Sequence, residues 1–545
     1  MAQDPDLGLL DKDPAIEDTA LNEYIDDNSS IQYYIEPAGI LHSKGDTSGT
    51  DDDDHYVTGD PLRPLERAEV QRGPINGGDD DSNELVEISI PAAAPIDKML
   101  KAINFRRDDL PLWESVQGEV RFNGLPYHIK GVNWFGFETD TRVFHGLDVH
   151  TLGFYLDFLR AEDFNLLRLP ISLAAALNLD SYPSYHYFQD PVLRGKTVRQ
   201  LLEIVIHEAG ARGIMVILDM HRARENEKFE LWYTKEYSYD MLLDGWNYLL
   251  SAFKHRWNIM GVDLLNEPHG AARWESGDPG IDWNRAAENM TMTLMQAHPE
   301  YTGLFFVEGV SNNYPYICFW GANLEGVARR PLDVRGNGKF PNGNRRVVYS
   351  PHTYGPSVDQ QPYFDAPDYP RNLPKIWDAL FGFVEQATGN AVVIGEWGGF
   401  YHNQTKLFID EFALYLLERC MSDNIFWVLN PNSADTGGLL DNDWTTPRRH
   451  RLKVLQIVQP SPSRLFFDGE KFVYKPGAYA NRECDPRWRL WLEQERQRLH
   501  EGGYDVEWEE EGFTPLVQSM RHSQEQNMRE QEADIVREWA AQEDI

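Results

Sequence analysis

Eight short apolar runs recur between residues 131 and 431, and several finish in a polar or charged residue: "GVNWFG" (131–136), "LLRLPI" (166–171), "IMVILDM" (214–220), "VDLLNE" (262–267), "LFFVEGV" (304–310), "VVYSPHTY" (347–354), "AVVIGEW" (391–397) and "IFWVLNP" (425–431). Most gaps between them carry helical periodicity. In "FIDEFALYLLERC", Phe408, Phe412, Tyr415 and Leu416 fall on one helix face, and in "QLLEIVIHEAGARG" Gly210 and Gly213 mark the end. Continuous apolar strands alternating with amphipathic helices predict a parallel sheet covered by helices. Eight such units predict an α/β fold of the closed (β/α)8 TIM-barrel type rather than a doubly wound open sheet. No Gly-rich phosphate loop follows the first run, which argues against a nucleotide site.

The barrel accounts for residues 112–459 of the 545. It opens with "GEVRFNGLPYHI", where an Asn-Gly pair between alternating stretches predicts a hairpin. Residues 1–111 carry acidic runs such as "DDDD" at 51–54, and their low hydrophobicity predicts a largely disordered acidic N-terminal region. Residues 460–545 read as a C-terminal extension, mostly charged helix, as in "RWRLWLEQERQRLHEGG". Either extension is a candidate contact for a protein partner.

A formal charge of −36 (51 basic against 87 acidic residues) repels nucleic-acid phosphates and anionic membranes, so a neutral partner fits better. There is no run of 18 apolar residues to insert in a membrane. Cys318, Cys420 and Cys484 have neither zinc-site nor disulfide-framework spacing, and free thiols are expected. The acidic start lacks a secretory n-region and h-region, which predicts an intracellular protein or one exported by an unconventional route.

In a barrel of this kind the active site lies at the C-terminal ends of the strands. Arg168, His221, Asn266, Glu267, His352, Tyr354 and Glu396 all sit at or near such ends and should converge there. Singly, each has an ordinary structural explanation; together they point to a site. Two glutamates facing one another suit acetal hydrolysis, since one must donate a proton while the other attacks the anomeric carbon. For a retaining reaction the carboxyl groups should stand about 5–5.5 Å apart. Aromatics near strand ends, Trp134, Trp232, Tyr233, Trp274, Trp320 and Trp397, are candidates for a sugar-stacking groove, with Trp397 better placed for packing.

The stretches "GVNWFGFET", "RLP", "ILDMHR", "LWYT", "NEPHG", "GDPGIDW", "FVEGV", "GEWGG" and "NPNSADTGGLLDNDW", in this order, resemble glycoside hydrolase family 5, in particular its bacterial-type cellulase subgroup. The resemblance runs from about residue 119 to 458. It implies a retaining endo-hydrolase of β-1,4-glucan with Glu267 as acid/base and Glu396 as nucleophile. His352 and Tyr354 would support the nucleophile, and Arg168 would help keep it ionised. Asn266 would bind the sugar 2-hydroxyl and His221 a neighbouring one. The implied ligand is a β-glucan polysaccharide or oligosaccharide, with no metal or organic cofactor.

One departure concerns "FWVLNP", where Leu429 occupies the position in which the family usually carries a tryptophan platform. Trp427, two residues earlier, points to the same side but about 6–7 Å deeper along the strand. That gap, with the long extensions, leaves a second reading open: a carbohydrate-binding or structural assembly protein that keeps the barrel with little turnover. The subgroup's loop cysteines are also absent from "TDTRVFHG", "HRARENEKFE" and "GAARWESG".

Overall fold

The computed structural model describes residues 103–106, 111–185, 187–313 and 316–477. Its centre is a ring of parallel strands: β1 (Lys130–Asn133), β2 (Leu166–Ser172), β3 (Met215–Arg222), β4 (Ile259–Asp263), β5 (Leu304–Val307), β6 (Val347–Tyr349, resuming at His352–Tyr354), β7 (Glu396–Gly398) and β8 (Asn424–Phe426). Seven of them form one sheet in the order β6-β5-β4-β3-β2-β1-β8. Residues just before β7 close the ring, with parallel bridges from Tyr349 to Val392 and from Ile394 to Asn424. The expected (β/α)8 barrel is the fold.

Helices follow the strands and bury their apolar stripes against the sheet. Three of them are α1 (Leu152–Ala161), α2 (Val198–Ala211) and α3 (Tyr239–Phe253), whose N-caps Thr151, Thr197 and Ser238 accept hydrogen bonds from first-turn amides. The start of α2 is a full capping box, with Gln200 reaching back to Thr197.

Side-chain alternation divides the barrel interior into layers. Near the strand starts Leu166, Ile217, Met260, Phe306, Val348, Val393 and Ile425 form an apolar cluster with Trp113, Phe122 and Tyr127 of the entry hairpin. The hairpin turn is the expected one: Asn123 and Gly124 both have positive φ (46° and 83°), and Phe122 pairs with Leu125. Further along the same strands, the inward positions turn polar.

Two boundaries differ from expectation. Strand Lys471–Lys475 pairs antiparallel with Ile103–Arg106 on one side and Arg464–Phe467 on the other. The first described part of the C-terminal extension is therefore sheet, and one strand comes from the stretch expected to be disordered. Asp468 and Gly469 (φ 97°) turn between two aromatic-rich runs, and Leu465 and Phe472 join the apolar cluster, so turn chemistry and burial agree on a hairpin. The rest of 1–111 and the helices expected after 477 lie outside the described residues. Cys420 is disulfide-bonded, contrary to the free thiol expected, while Cys318 is free and buried.

Candidate active site

Arg168 on β2 is fully buried, and its guanidinium organises the upper layer. Nε donates to Asp263 (2.9 Å), Nη1 to Asn133 (3.0 Å) and to Glu396 Oε1 (2.5 Å), and Nη2 to Asn266 (2.9 Å) and Glu308 (3.1 Å). Asp219 lies 3.1 Å from Nη2. One cation among so many buried carboxyls cannot keep them all ionised. Burial pushes Asp219 up to about 7 and Asp263 to about 8, and lifts Glu308 well above the carboxylate range, against the pull of Arg168.

Glu396 opens β7 and pairs in register with His352 on β6. Its two oxygens accept from different donors, Oε1 from Arg168 and Oε2 from the Tyr354 hydroxyl. Glu267 lies four residues beyond the end of β4, in the left-handed region (φ 52°), a conformation costing about 1 kcal/mol or more for a non-glycine residue. Its amide donates to Glu308 Oε2 (2.7 Å) and helps hold this turn. The opposite wall is close here: Gly321 (φ 74°) follows Trp320, and a Cβ on it would stand 2.5 Å from Glu308 Oε2.

Burial raises the Glu267 carboxyl above its ordinary value, opposed most by Lys228 and then Arg168. His352 stands between the two glutamates, with Nδ1 3.2 Å from Glu267 Oε1 and 3.6 Å from Glu396 Oε2, and Nε2 3.3 Å from Glu308. Burial depresses its imidazole to about 3, so it is neutral near pH 7. One oxygen from each glutamate and one ring nitrogen of His352 lie within 4.8 Å of one another. Asp263, Glu308 and His352 are similarly close. In both groups carboxylates are already bonded to Arg168, which supplies positive charge where a metal ion otherwise would.

The expected residues Arg168, His221, Asn266, Glu267, His352, Tyr354 and Glu396 are thus brought to one end of the barrel. His221 is held by Asp219 (Nδ1 to Oδ2, 2.7 Å), and burial keeps it neutral. Its ring stacks on Trp427 (5.6 Å, 10°), whose other neighbour in the stack is Phe135 (5.8 Å, 6°). Trp134 is a correction: fully buried, it donates its indole N–H to His145 and packs on Phe144 and Tyr155. Trp232, Trp274 and Trp397 are also core, whereas Tyr233 and Trp320 are exposed.

The Leu429 expectation fails as well. Leu429 is 1% exposed and belongs to the core, while half-buried Trp427 already lies beyond β8, which ends at Phe426 rather than near residue 431. Glu308, Asp219, Asp263, Asn133 and Phe135 were missed. Glu308 carried the same signal as Glu267 and Glu396, an apolar strand finishing in a carboxylate. Asp219 stands two residues before His221, on the same strand face.

Comparison with known proteins meets this geometry. The model of the cellulase family, glycosyl hydrolase family 5, matches residues 126–433. The chain belongs to this family. Among cellulase-family relatives, an endoglucanase of Paenibacillus polymyxa is 39% identical over 355 residues, covering 63% of this chain and 84% of that one. The major extracellular endoglucanase of Xanthomonas campestris is 36% identical over 346 residues, covering 62% and 68%. The solved catalytic domain of the Xanthomonas campestris major endoglucanase superposes with a TM-score of 0.58 at 36% identity, over 63% of this chain and 98% of that one. A cellotetraose complex of an endocellulase from Pyrococcus horikoshii gives 0.60 at 34% identity, over 64% and 98%.

Proposed function

We propose that this barrel is a retaining endo-hydrolase of β-1,4-glucan, with Glu396 as nucleophile and Glu267 as acid/base. The observation that carries the reading is that one oxygen of Glu267 lies within 4.8 Å of one oxygen of Glu396. That suits the separation of about 5–5.5 Å used by retaining enzymes better than the roughly 6.5–9.5 Å by which inverting enzymes make room for a water.

In the first step an oxygen of Glu396 bonds to the anomeric carbon. The glycosidic bond breaks, its electron pair goes to the leaving oxygen, and Glu267 gives that oxygen its proton. In the second step water attacks the same carbon, Glu267 takes the proton, and Glu396 leaves as a carboxylate. Burial supports the acid role by favouring protonated Glu267. Arg168 and Tyr354 orient the two oxygens of Glu396. Asn266, whose side-chain oxygen accepts from Arg168, keeps its amide N–H groups for a sugar hydroxyl. His221, fixed through Nδ1, keeps Nε2 for another.

Partly exposed Trp427, its indole parallel to the rings of His221 and Phe135, takes the place of the platform whose loss would have favoured a barrel without turnover. The test is hydrolysis of a panel of soluble β-glucans, sizing the products and following the anomer first released. Short cello-oligosaccharides in the β configuration are expected from a β-1,4-glucan. Initial α product would overturn retention, and failure to cleave any β-glucan would overturn the function.

A further inference from the structure

Lys228, on the loop after β3, is exposed and forms no ion pair among the described residues. It is nevertheless held in place. Its neighbour Phe229 is buried in the core, and Glu230 is pinned to the loop after β4 by the amides of His269 (3.1 Å) and Ala271 (2.6 Å). The Lys228 ammonium lies 4.7 Å from the ring centre of Trp320. The His269 imidazole stacks on the same indole at 3.7 Å and 6°, filling one face, so the ammonium takes the other. His269 in turn donates Nδ1–H to the backbone carbonyl of Glu267 (2.7 Å). A 37% exposed indole tied to the acid's own backbone is placed to stack the sugar on the leaving side of the cleaved bond.

We propose that Lys228 is a positioning residue gated by the leaving-group sugar: it covers the open face of Trp320 and neighbours Glu267 when that side is empty, and is displaced when a pyranose stacks there. This rests on the reading of Glu267 as acid/base. The two steps make opposite demands on Glu267, which must be protonated in the first and ionised in the second. A nearby cation favours the ionised form. Displacement of Lys228 by the arriving sugar therefore favours the acid, and its return once the leaving group departs favours the base.

The other groups facing Glu267 are fixed. Arg168 on β2 and Arg222 on β3 draw it toward ionisation, and Asp219 on β3 is a carboxyl that it opposes. Glu308 follows β5, His352 and Tyr354 lie on β6, Glu396 on β7, and His269 on its own loop. Of the cations, Lys228 draws Glu267 most strongly toward ionisation, and it sits on a surface that substrate would occupy.

The test compares wild type, Lys228→Met and Lys228→Arg on cellopentaose and on an aryl β-cellobioside with an activated leaving group, for which the second step limits turnover. In Lys228→Met the alkaline limb of kcat/KM on cellopentaose should move to higher pH, because Glu267 stays protonated further. KM for cellopentaose should fall about two- to fivefold, the strength of an exposed cation–aromatic contact that no longer competes. kcat on the aryl substrate should fall at mildly acidic pH, where less base is available. Lys228→Arg, which keeps the charge, should restore the wild-type pH profile. An active wild type whose Lys228→Met profile does not move overturns the gate alone, as does an arginine variant as altered as the methionine one. A wild type that cleaves neither substrate overturns the gate and the proposed function together.

Discussion

The two ends of the barrel interior are equally dry and chemically opposite. At the strand starts, Leu166, Ile217, Met260 and Phe306 touch one another and the plug of Trp113 and Tyr127. Two residues further along three of these strands, Arg168, Asp219 and Glu308 are just as inaccessible to water. The lower layer gains from burial directly, at about 25 cal/mol per Å² of apolar surface. The upper layer loses by it and persists because Arg168 bonds to the carboxyls around it, some of which hold protons that they would release in water. Burial therefore does not distinguish scaffold from site. What distinguishes them is whether a side chain could be exchanged for a hydrocarbon of similar shape without leaving a partner stranded.

The sharpest contrast lies in turnover. Glu396→Gln should reduce it by about four orders of magnitude or more on every substrate, as loss of a nucleophile does. Glu267→Gln should slow cellopentaose by roughly 10²–10⁴ and an activated aryl cellobioside much less in the first step, since only the former needs the proton. Equal losses on both substrates in single-turnover assays would count against the assignment of Glu267.

Stability should separate the layers differently. Met260→Ala empties part of the lower layer and should cost about 2–5 kcal/mol in denaturant melts while leaving turnover per folded molecule near wild type. Arg168→Met strands buried carboxyls and should cost about 3–5 kcal/mol, with turnover lost too. Turnover lost in folded Met260→Ala would dissolve the division between layers.

A smaller effect follows from the raised carboxyls. Asp219 and Asp263 have ordinary values of 3.8 and folded values of about 7 and 8, so between those limits the native protein holds protons that the unfolded chain has released. Raising pH then favours unfolding, and the contribution present below about pH 4 is lost as pH rises through 7 and 8. The denaturation midpoint should fall between pH 5 and pH 8.5. Asp263→Asn should flatten that decline; an unchanged slope would mean that Asp263 is ionised throughout.

The strands were legible because each buries both faces and so reads as an unbroken apolar run. The convergence of the strand-end polar residues followed from the barrel. Directions beyond the strand ends did not follow, because alternation holds only within the ladder. The run 262–267 reads as strand to its end, but the ladder stops at Asp263, and the left-handed turn at Glu267 aims its carboxyl. Trp134 lies immediately past β1, and contacts with Phe144 and Tyr155, remote in sequence, decide that it faces the core. Glu308 is illegible for another reason: it contacts Glu267, Arg168 and His352, yet its sequence signal is the same as that of the other two glutamates.

The same limit on alternation explains Leu429 and yields the smallest expected effect. A strand running to residue 431 would hold Trp427 too deep, but the strand ends at Phe426, and the partly exposed indole lies beside His221 and Phe135. Leu429, by contrast, is packed on all sides, so Leu429→Trp overfills the core and should destabilise by about 1–3 kcal/mol instead of improving cleavage. Trp427→Ala removes a stacking surface worth roughly 0.5–1.5 kcal/mol and should lower kcat/KM on cellopentaose about two- to tenfold. Because Trp427 also braces His221, part of that loss should appear in kcat. A Leu429→Trp protein that is stable and faster than wild type would return the platform to position 429 and make Trp427 a packing residue after all.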